Sequence, residues 1–148
     1  MSGSRGTSVK AIAKTAAPKL VSRMSDRMLE QTIGRRAGLT VIFRTMAGEF
    51  VPDAAEGFCG EIAYELTGLD GVLRSRTMRI TTTAAMPVAA RATDPALTIK
   101  LGLADFVRLS AGEVDPVTLL MGERMALEGD FMLAAKVGPM FGQPLPEA

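Results

Sequence analysis

The sequence predicts an α+β domain in which a five-stranded, mainly antiparallel sheet is covered on one face by helices. In the first and last thirds of the chain, apolar residues recur every three to four positions, which is typical of helices. In the middle third they recur at every second position, which is typical of half-buried strands. A chain of 148 residues can form one core of this kind and is too short for two ordinary domains.

Two helices are predicted before the sheet. Pro18 suits the first turn of a helix, and apolar residues at helical spacing extend this helix to Gly34. The same spacing predicts a second helix over 37–49, although its Thr-Val-Ile content leaves a strand as the main alternative. Residues 51–57 are expected to form a turn or a short helical cap.

Four strands are predicted next. Asp70-Gly71 has the composition of a hairpin turn between the first two strands, and Pro87 indicates that the third is bulged or lies at an edge. Because all the connections are short, we expect the four strands to form an antiparallel meander. The predicted strands are 58–67, 72–83, 86–92 and 97–101.

The final third of the chain returns to helices and adds one strand. Asp115 followed by Pro116 has the composition of a helix start, and a glycine follows each of the first two predicted helices. The predicted elements are a helix through 106–109 that ends at Gly112, a helix from Pro116 to Gly122, a fifth strand at 125–128 and a last helix over 131–140.

The composition excludes several kinds of active site. The chain has no histidine and one cysteine, so it cannot form a Ser-His-Asp triad, an imidazole zinc site, an internal disulfide or an iron–sulfur cluster. Cys59 shares a predicted strand face with Glu61 and Glu65, and nearby carboxylates do not favour a thiolate. We therefore expect no enzymatic activity, no metal and no cofactor. Six phenylalanines and one tyrosine are too few for a stacking platform, so nucleic acid is not an expected partner.

Charge is distributed unevenly along the chain. The first 25 residues contain five basic residues and no acid, whereas the remainder carries twelve basic and sixteen acidic residues. A basic arm of this kind fits an anionic membrane surface, a transit-like segment or a solvated terminus. No continuous apolar stretch marks an export signal or a membrane span, so the expected location is the cytoplasm.

The predicted last helix is unusually apolar. Within 131–140, only Lys136 is charged, and large apolar side chains cover most of the helix circumference. Two apolar faces require two apolar neighbours, and the second neighbour is a lipid-filled cavity, a partner protein or further core. Four of the ten methionines lie in the last 28 residues, and flexible methionine side chains suit a surface that accepts several shapes as well as an irregular core.

Arginines are concentrated on the second predicted strand. Arg74 and Arg76 share a strand face with Met78 and Ile80, whereas Arg79 lies on the opposite face. Two interpretations are open for this pair of arginines: a contact with the phosphate or carboxylate of a lipid head group, or a solvated sheet edge.

The stretch PALTIKLGLADFVRLSAGEVDPVTLLMGERMALEGDFMLAAKVGPMF, residues 95–141, closely resembles the C-terminal half of sterol carrier protein 2-like domains. The shared pattern is a strand, an acidic helix with Phe-x-x-Leu, an Asp-Pro-capped short helix, Met-Gly, a strand that ends in Gly-Asp and a closing apolar helix. The resemblance is weaker over 53–94. It implies a domain over 37–143, preceded by a basic, partly disordered segment with helices at 1–36 and followed by a tail at 144–148.

The resemblance also implies a function. Members of this family hold a sterol, fatty acid, acyl-coenzyme A ester or isoprenoid in an apolar tunnel between the sheet and the C-terminal helices. The expected function is non-catalytic binding and intracellular transfer of such a ligand; the alternative is an accessory protein that presents an isoprenoid or quinone-like lipid to partner enzymes. The chain ends in PLPEA and not in Ser-Lys-Leu, so a peroxisomal address is not expected.

The tunnel that the resemblance implies would have one wall from the sheet and one from the helices. Strand residues form the predicted sheet wall, namely Ile62, Tyr64, Leu97 and Ile99. Helical residues form the opposite wall, namely Phe106, Leu109, Leu120, Met121, Met132, Leu133, Met140 and Phe141.

Overall fold

The computed structural model describes residues 23–33 and 35–142. Most of the basic N-terminal segment, including the predicted helix start at Pro18, lies outside these residues, as do Gly34 and the tail. Before the sheet, the elements are α1 (Asp26–Gln31), α2 (Arg36–Gly48) and a 3-10 helix (Pro52–Ala55). The remaining elements are β1 (Gly60–Thr67), β2 (Leu73–Ile80), β3 (Ala85–Val88), β4 (Pro95–Gly102), α3 (Leu103–Ser110), α4 (Pro116–Met121), β5 (Met125–Gly129) and α5 (Phe131–Met140).

The five strands form one mixed sheet in the order β3-β2-β1-β4-β5. Antiparallel pairing joins β1 to β2, β2 to β3, and β4 to β5, whereas β1 and β4 run parallel. The α+β class and the five-stranded, mainly antiparallel sheet are therefore confirmed. The prediction of a four-strand meander is wrong, because only the first three strands follow one another across the sheet.

The connection between β3 and β4 explains this error. Residues 89–94 carry the chain from one edge of the sheet past β2 and β1 to the far side of β1. The connection is much shorter than the dozen residues that a parallel crossover usually needs. Side chains of the sheet hold the connection in place. The hydroxyl of Thr77 donates to the carbonyl oxygen of Ala90 at 2.8 Å. A carboxylate oxygen of Glu61 accepts hydrogen bonds from the backbone N–H groups of Thr93 and Asp94 at 3.1 and 3.0 Å.

Helices cover one face of the sheet, as predicted. The strand residues that point toward the helices are apolar and buried on both central strands, because side chains alternate between the two faces. On β1 these residues are Ile62, Tyr64 and Leu66, and on β4 they are Leu97, Ile99 and Leu101.

The helix predicted to run from Pro18 to Gly34 is shorter in the described residues. Its helical part, α1, begins at Asp26 because the hydroxyl of Ser25 accepts a hydrogen bond from the N–H of Met28 and caps the helix. Leu29 is fully buried and packs with Val107 of α3. The helix therefore joins the helical layer. Among the described residues, no helix is both long and apolar enough to cross a bilayer.

The first three predicted strands are longer than the strands in the structure. The second stops at Ile80 because a turn follows, in which the N–H of Thr81 donates to the carbonyl oxygen of Ala84 at 2.9 Å. The third is only four residues long, and the first begins at Gly60 and not at residue 58.

Candidate ligand-binding site

The predicted sheet wall is one continuous buried surface. Ile62 and Tyr64 of β1 lie beside Leu97 and Ile99 of β4 in the parallel register, and all four residues are buried. From the helical side, Phe106 of α3 and Leu133 and Met140 of α5 are buried in the same cluster, together with Phe141. Eight of the twelve predicted wall residues therefore lie in one apolar core, and Leu109 packs against it.

The two predicted walls touch at a cluster of three aromatic rings. The ring of Tyr64 lies 5.1 Å from that of Phe43 and 5.9 Å from that of Phe106, and both contacts are edge-on. The rings of Phe43 and Phe106 stack on each other at 5.1 Å. Sequence analysis did not assign Phe43 to the site, although its position on the apolar stripe of α2 is a pattern that could have identified it. A ligand between sheet and helices would have to run past these rings or separate them.

Three of the predicted wall residues lie at the surface. The exposed fractions are 39% for Leu120, 81% for Met121 and 76% for Met132. Phe131, at the start of α5, is also 65% exposed. The role of these residues as a ligand wall remains a prediction, and their exposure gives α4 and α5 apolar surface that faces away from the core.

Polar contacts join the C-terminal half of the last helix to the segment before the sheet. The N–H of Val51, just before the 3-10 helix, donates to the carbonyl oxygen of Met140 at 2.6 Å. Lys136 forms an exposed ion pair with Glu56 at 3.4 Å. At the other end, Asp130 accepts hydrogen bonds from N–H groups of the first turn and thereby caps the helix.

One polar atom of the sheet wall has no partner. The hydroxyl of Tyr64 is fully buried, and no donor or acceptor in the described part of the chain lies within hydrogen-bonding distance. Tyr64 itself is only 3% exposed. Burial raises the pKa of this phenol well above its ordinary value of 10.0, because the surroundings disfavour the charged form.

A second polar atom without a partner lies on the neighbouring strand. Arg76 of β2 stands directly opposite Tyr64 in the antiparallel register, on the helix-covered face. One terminal nitrogen of its guanidinium donates to the backbone oxygen of Ser75 at 3.1 Å, but its Nε is buried without a partner. Burial and, to a smaller extent, the charges of Arg36 and Arg74 lower the pKa of Arg76.

The other two arginines of β2 are paired. Arg74 is partly exposed and forms an ion pair with Asp70 at 3.1 Å. Arg79 lies on the opposite face, where it is 3.5 Å from Glu61. Of the two interpretations of Arg74 and Arg76, the solvated edge therefore describes Arg74, whereas Arg76 is oriented toward the core.

The sheet face without helices is polar, and its charges are mutually paired. Lys100 lies 2.9 Å from Glu128 and 3.8 Å from Glu65. Backbone hydrogen bonds from the 89–94 connection hold the pKa of Glu61 below its usual range, so it is a poor general base near neutral pH. Across the described ranges 23–33 and 35–142, no group of three or more Cys, Asp or Glu side chains is arranged to hold a metal ion.

The fold is similar to several solved structures at low sequence identity. The crystal structure of sterol carrier protein 2-like 2 from Aedes aegypti matches 76% of this chain and 96% of its own, with 20% identity and a TM-score of 0.57. A solution structure of the palmitated form of that mosquito protein matches 72% of this chain and 96% of its own, with 17% identity and a TM-score of 0.55. A sec-alkylsulfatase from Pseudomonas sp. matches 70% of this chain over 16% of its own, with 17% identity and a TM-score of 0.52.

A search of curated proteins found no match to this sequence. The family model of the SCP-2 sterol transfer family matches residues 49–142, which extend from the end of α2 through α5. This range contains all five strands and every predicted wall residue. The chain therefore belongs to the SCP-2 sterol transfer family.

Proposed function

We propose that this protein binds a hydrophobic ligand between the sheet and the helices α3 and α5 and carries it without catalysing a reaction. The expected ligand classes are sterols, fatty acids, acyl-coenzyme A esters and isoprenoids. The observation that carries the proposal is the family match over 49–142, which covers both predicted walls. The similarity to a mosquito protein whose structure is described as palmitated supports it.

The burial pattern is consistent with a ligand at this position. Both walls consist of apolar side chains, so an acyl chain or a ring system between them would leave water at about 0.8 kcal/mol for each methylene group. A sixteen-carbon chain would gain about 12 kcal/mol before the costs of ordering and of parting the aromatic rings are subtracted. A net value of about −8 kcal/mol, which corresponds to micromolar affinity, suits a carrier that must also release its ligand.

The last helix, α5, is the proposed gate. Pro139 lies inside its last turn and removes a backbone donor, which weakens the helix at this point. The ion pair between Lys136 and Glu56 is exposed and therefore contributes little to holding the helix. Movement of α5 would part the helical wall from the sheet without unfolding the sheet itself.

The proposal that the protein is not an enzyme has independent support. The chain has no histidine, and the carboxylates at the uncovered face, Glu61, Glu65 and Glu128, each have a basic partner or backbone donors. These three carboxylates are therefore held in structural contacts and are poorly suited to acid–base catalysis.

Native mass spectrometry of gently purified protein, followed by lipid extraction, tests the proposal. We expect a co-purifying lipid, saturable uptake of a fluorescent fatty acid, and transfer of that fatty acid between vesicles by the protein alone. The absence of both a bound lipid and saturable uptake would overturn the proposal. Binding without transfer, restored by a partner enzyme, would instead support the accessory role.

Two neighbouring residues of α5 provide a matched pair of variants for the same assay. Leu133 is buried against the sheet, whereas Met132 is exposed. Leu133→Ala should change the affinity or the preferred chain length of the ligand, and Met132→Ala should leave both unchanged. Equal effects of the two variants, at equal thermal stability, would place the ligand elsewhere.

A further inference from the structure

We propose that Arg76 and the hydroxyl of Tyr64 form a subsite for an anionic head group, a carboxylate or a phosphate, on the helix-covered face of the sheet. This inference rests on the proposed function, because it assigns the chemistry of the ligand's polar end. It concerns residues that the family match does not by itself single out.

Tyr64 and Arg76 are directly paired across β1 and β2, and both point to the helix-covered face. The next two residues on the same face of β2, Met78 and Ile80, are fully buried and apolar. A ligand lying along this face would therefore meet a cation and a phenol at one end and only apolar side chains beyond them.

Arg76 has unused hydrogen-bonding capacity. A guanidinium has five N–H donors, and within the described residues Arg76 donates one hydrogen bond, to the backbone oxygen of Ser75. Its Nε and the hydroxyl of Tyr64 are the two buried side-chain atoms without a partner among the described residues. Buried polar groups are nearly always paired in folded proteins, so two adjacent exceptions indicate a partner that belongs to a ligand.

No carboxylate in the part of the chain that the structure describes lies within ion-pair distance of Arg76. The charges of Arg36 and Arg74 disfavour the charged form of Arg76, and Arg74 is itself paired with Asp70. Arg36 is the first residue of α2, where the N-terminal end of a 13-residue helix adds positive potential. An anion beside Arg76 would offset the repulsion between these arginines and would accept hydrogen bonds from the unused N–H groups of Arg76.

The test compares lipids that share an apolar part and differ in their head group. Palmitate is compared with hexadecanol, and dioleoyl phosphatidic acid with dioleoylglycerol, by displacement of a bound fluorescent probe. We expect the wild-type protein to prefer the anionic member of at least one pair by roughly tenfold to a hundredfold, as expected for charge-assisted hydrogen bonds in a partly buried site. The pair that shows the preference identifies carboxylate or phosphate as the natural head group.

Variants on the two faces of β2 assign the preference to Arg76. Arg76→Gln should abolish it and leave affinity for the neutral lipids unchanged, whereas Arg76→Lys should retain part of it. Arg79→Gln is the matched control, because this arginine lies on the same strand and the opposite face. Tyr64→Phe should reduce the preference by a smaller factor, since it removes one neutral donor. Thermal melting of each ligand-free variant establishes that it is folded.

Two results would overturn the inference. One is a wild-type protein that binds the charged and neutral members of both pairs equally. The other is an anionic preference that survives in folded Arg76→Gln, or that is lost equally in Arg79→Gln. In both cases the neutral lipids still bind, so the proposed function stands. If none of the four lipids binds in a saturable way and the purified protein carries no lipid, the proposed function itself fails. If a lipid co-purifies but none of the four binds, the head-group inference alone fails.

Discussion

The unpartnered hydroxyl of Tyr64 allows a direct test of the core described above. Replacing tyrosine by phenylalanine keeps the ring, which packs against Phe43 and Phe106, and removes only the hydroxyl. Leaving a buried polar group without a partner costs about 1–3 kcal/mol. Tyr64→Phe should therefore raise the free energy of unfolding of the ligand-free protein by about 1 kcal/mol, which corresponds to roughly 2–4 °C in melting temperature for a domain of this size.

Thr77 provides the matched control for this experiment. Its hydroxyl is buried on the next strand but donates to the carbonyl oxygen of Ala90 at 2.8 Å. Thr77→Val keeps the shape and removes a satisfied hydrogen bond, so we expect a loss of about 1 kcal/mol. The two hydroxyl deletions should thus change stability in opposite directions.

Urea denaturation of delipidated protein, followed by far-ultraviolet circular dichroism, measures both effects. Circular dichroism is required because Tyr64 is the only tyrosine and the chain has no tryptophan, so the variant loses its intrinsic fluorescence. A Tyr64→Phe protein that is less stable than wild type by 1 kcal/mol or more would refute the reasoning, since it would show that the hydroxyl has a partner in the ligand-free protein.

Three further predictions concern the core and the helices. The pKa of Tyr64 is raised in the folded protein, whereas the unfolded chain releases this proton near the ordinary value of 10.0, so the free energy of unfolding should fall as the pH rises above 10. The folded protein should show no tyrosinate absorbance just above pH 10. A normal tyrosine titration would contradict this prediction. Leu29→Ala should lower the free energy of unfolding, measured by urea denaturation, by about 2–5 kcal/mol, because Leu29 is fully buried. Met28→Ala, at the half-exposed neighbouring position, should change it little. Equal losses in the two variants would mean that α1 does not pack against α3. Lys136→Glu places a second negative charge beside Glu56 and should speed ligand release up to a few-fold in stopped-flow measurements. The double variant Lys136→Glu with Glu56→Lys should restore the wild-type rate of release. A single variant that releases ligand at the wild-type rate would argue against α5 as the gate.

Most elements of the fold could be predicted because their sequence patterns are local. The helix over 37–49 follows from apolar spacing, and the last helix follows from apolar residues behind its Asp130 cap. Both are present within one or two residues of the predicted ends. The partner of a strand is not a local property. Alternation in 97–101 determines which side chains face the core, but it does not distinguish pairing with β3 from parallel pairing with β1. In the structure the connection is held by a hydrogen bond that Thr77 donates to it and by two that Glu61 accepts from it, and no local pattern specifies these contacts.

The candidate site could be predicted only in part for a related reason. A run of apolar residues indicates that a helix contacts something apolar, but it does not indicate which residues face the sheet. Leu133 and Met140 face it, and the adjacent Met132 is exposed. The sequence likewise placed Arg76 on the same face as Met78 but did not show whether any carboxylate would reach it. That question is decided by side chains that are distant in sequence.

The two unpartnered groups link stability to binding, and this link distinguishes a binding site from a packing defect. If Tyr64 and Arg76 only disfavour the ligand-free fold, removing their polar atoms will raise its stability and leave lipid binding unchanged. If they receive an anionic head group, the same variants will also raise the stability of the ligand-free protein. They will in addition reduce the extra stability that an anionic lipid confers, because a ligand that binds more weakly stabilises the folded state less. The neutral lipid of the same length should then stabilise variant and wild type by equal amounts. The cost of leaving the two groups unpaired in the ligand-free state therefore adds to the affinity for an anionic lipid, because binding removes that cost.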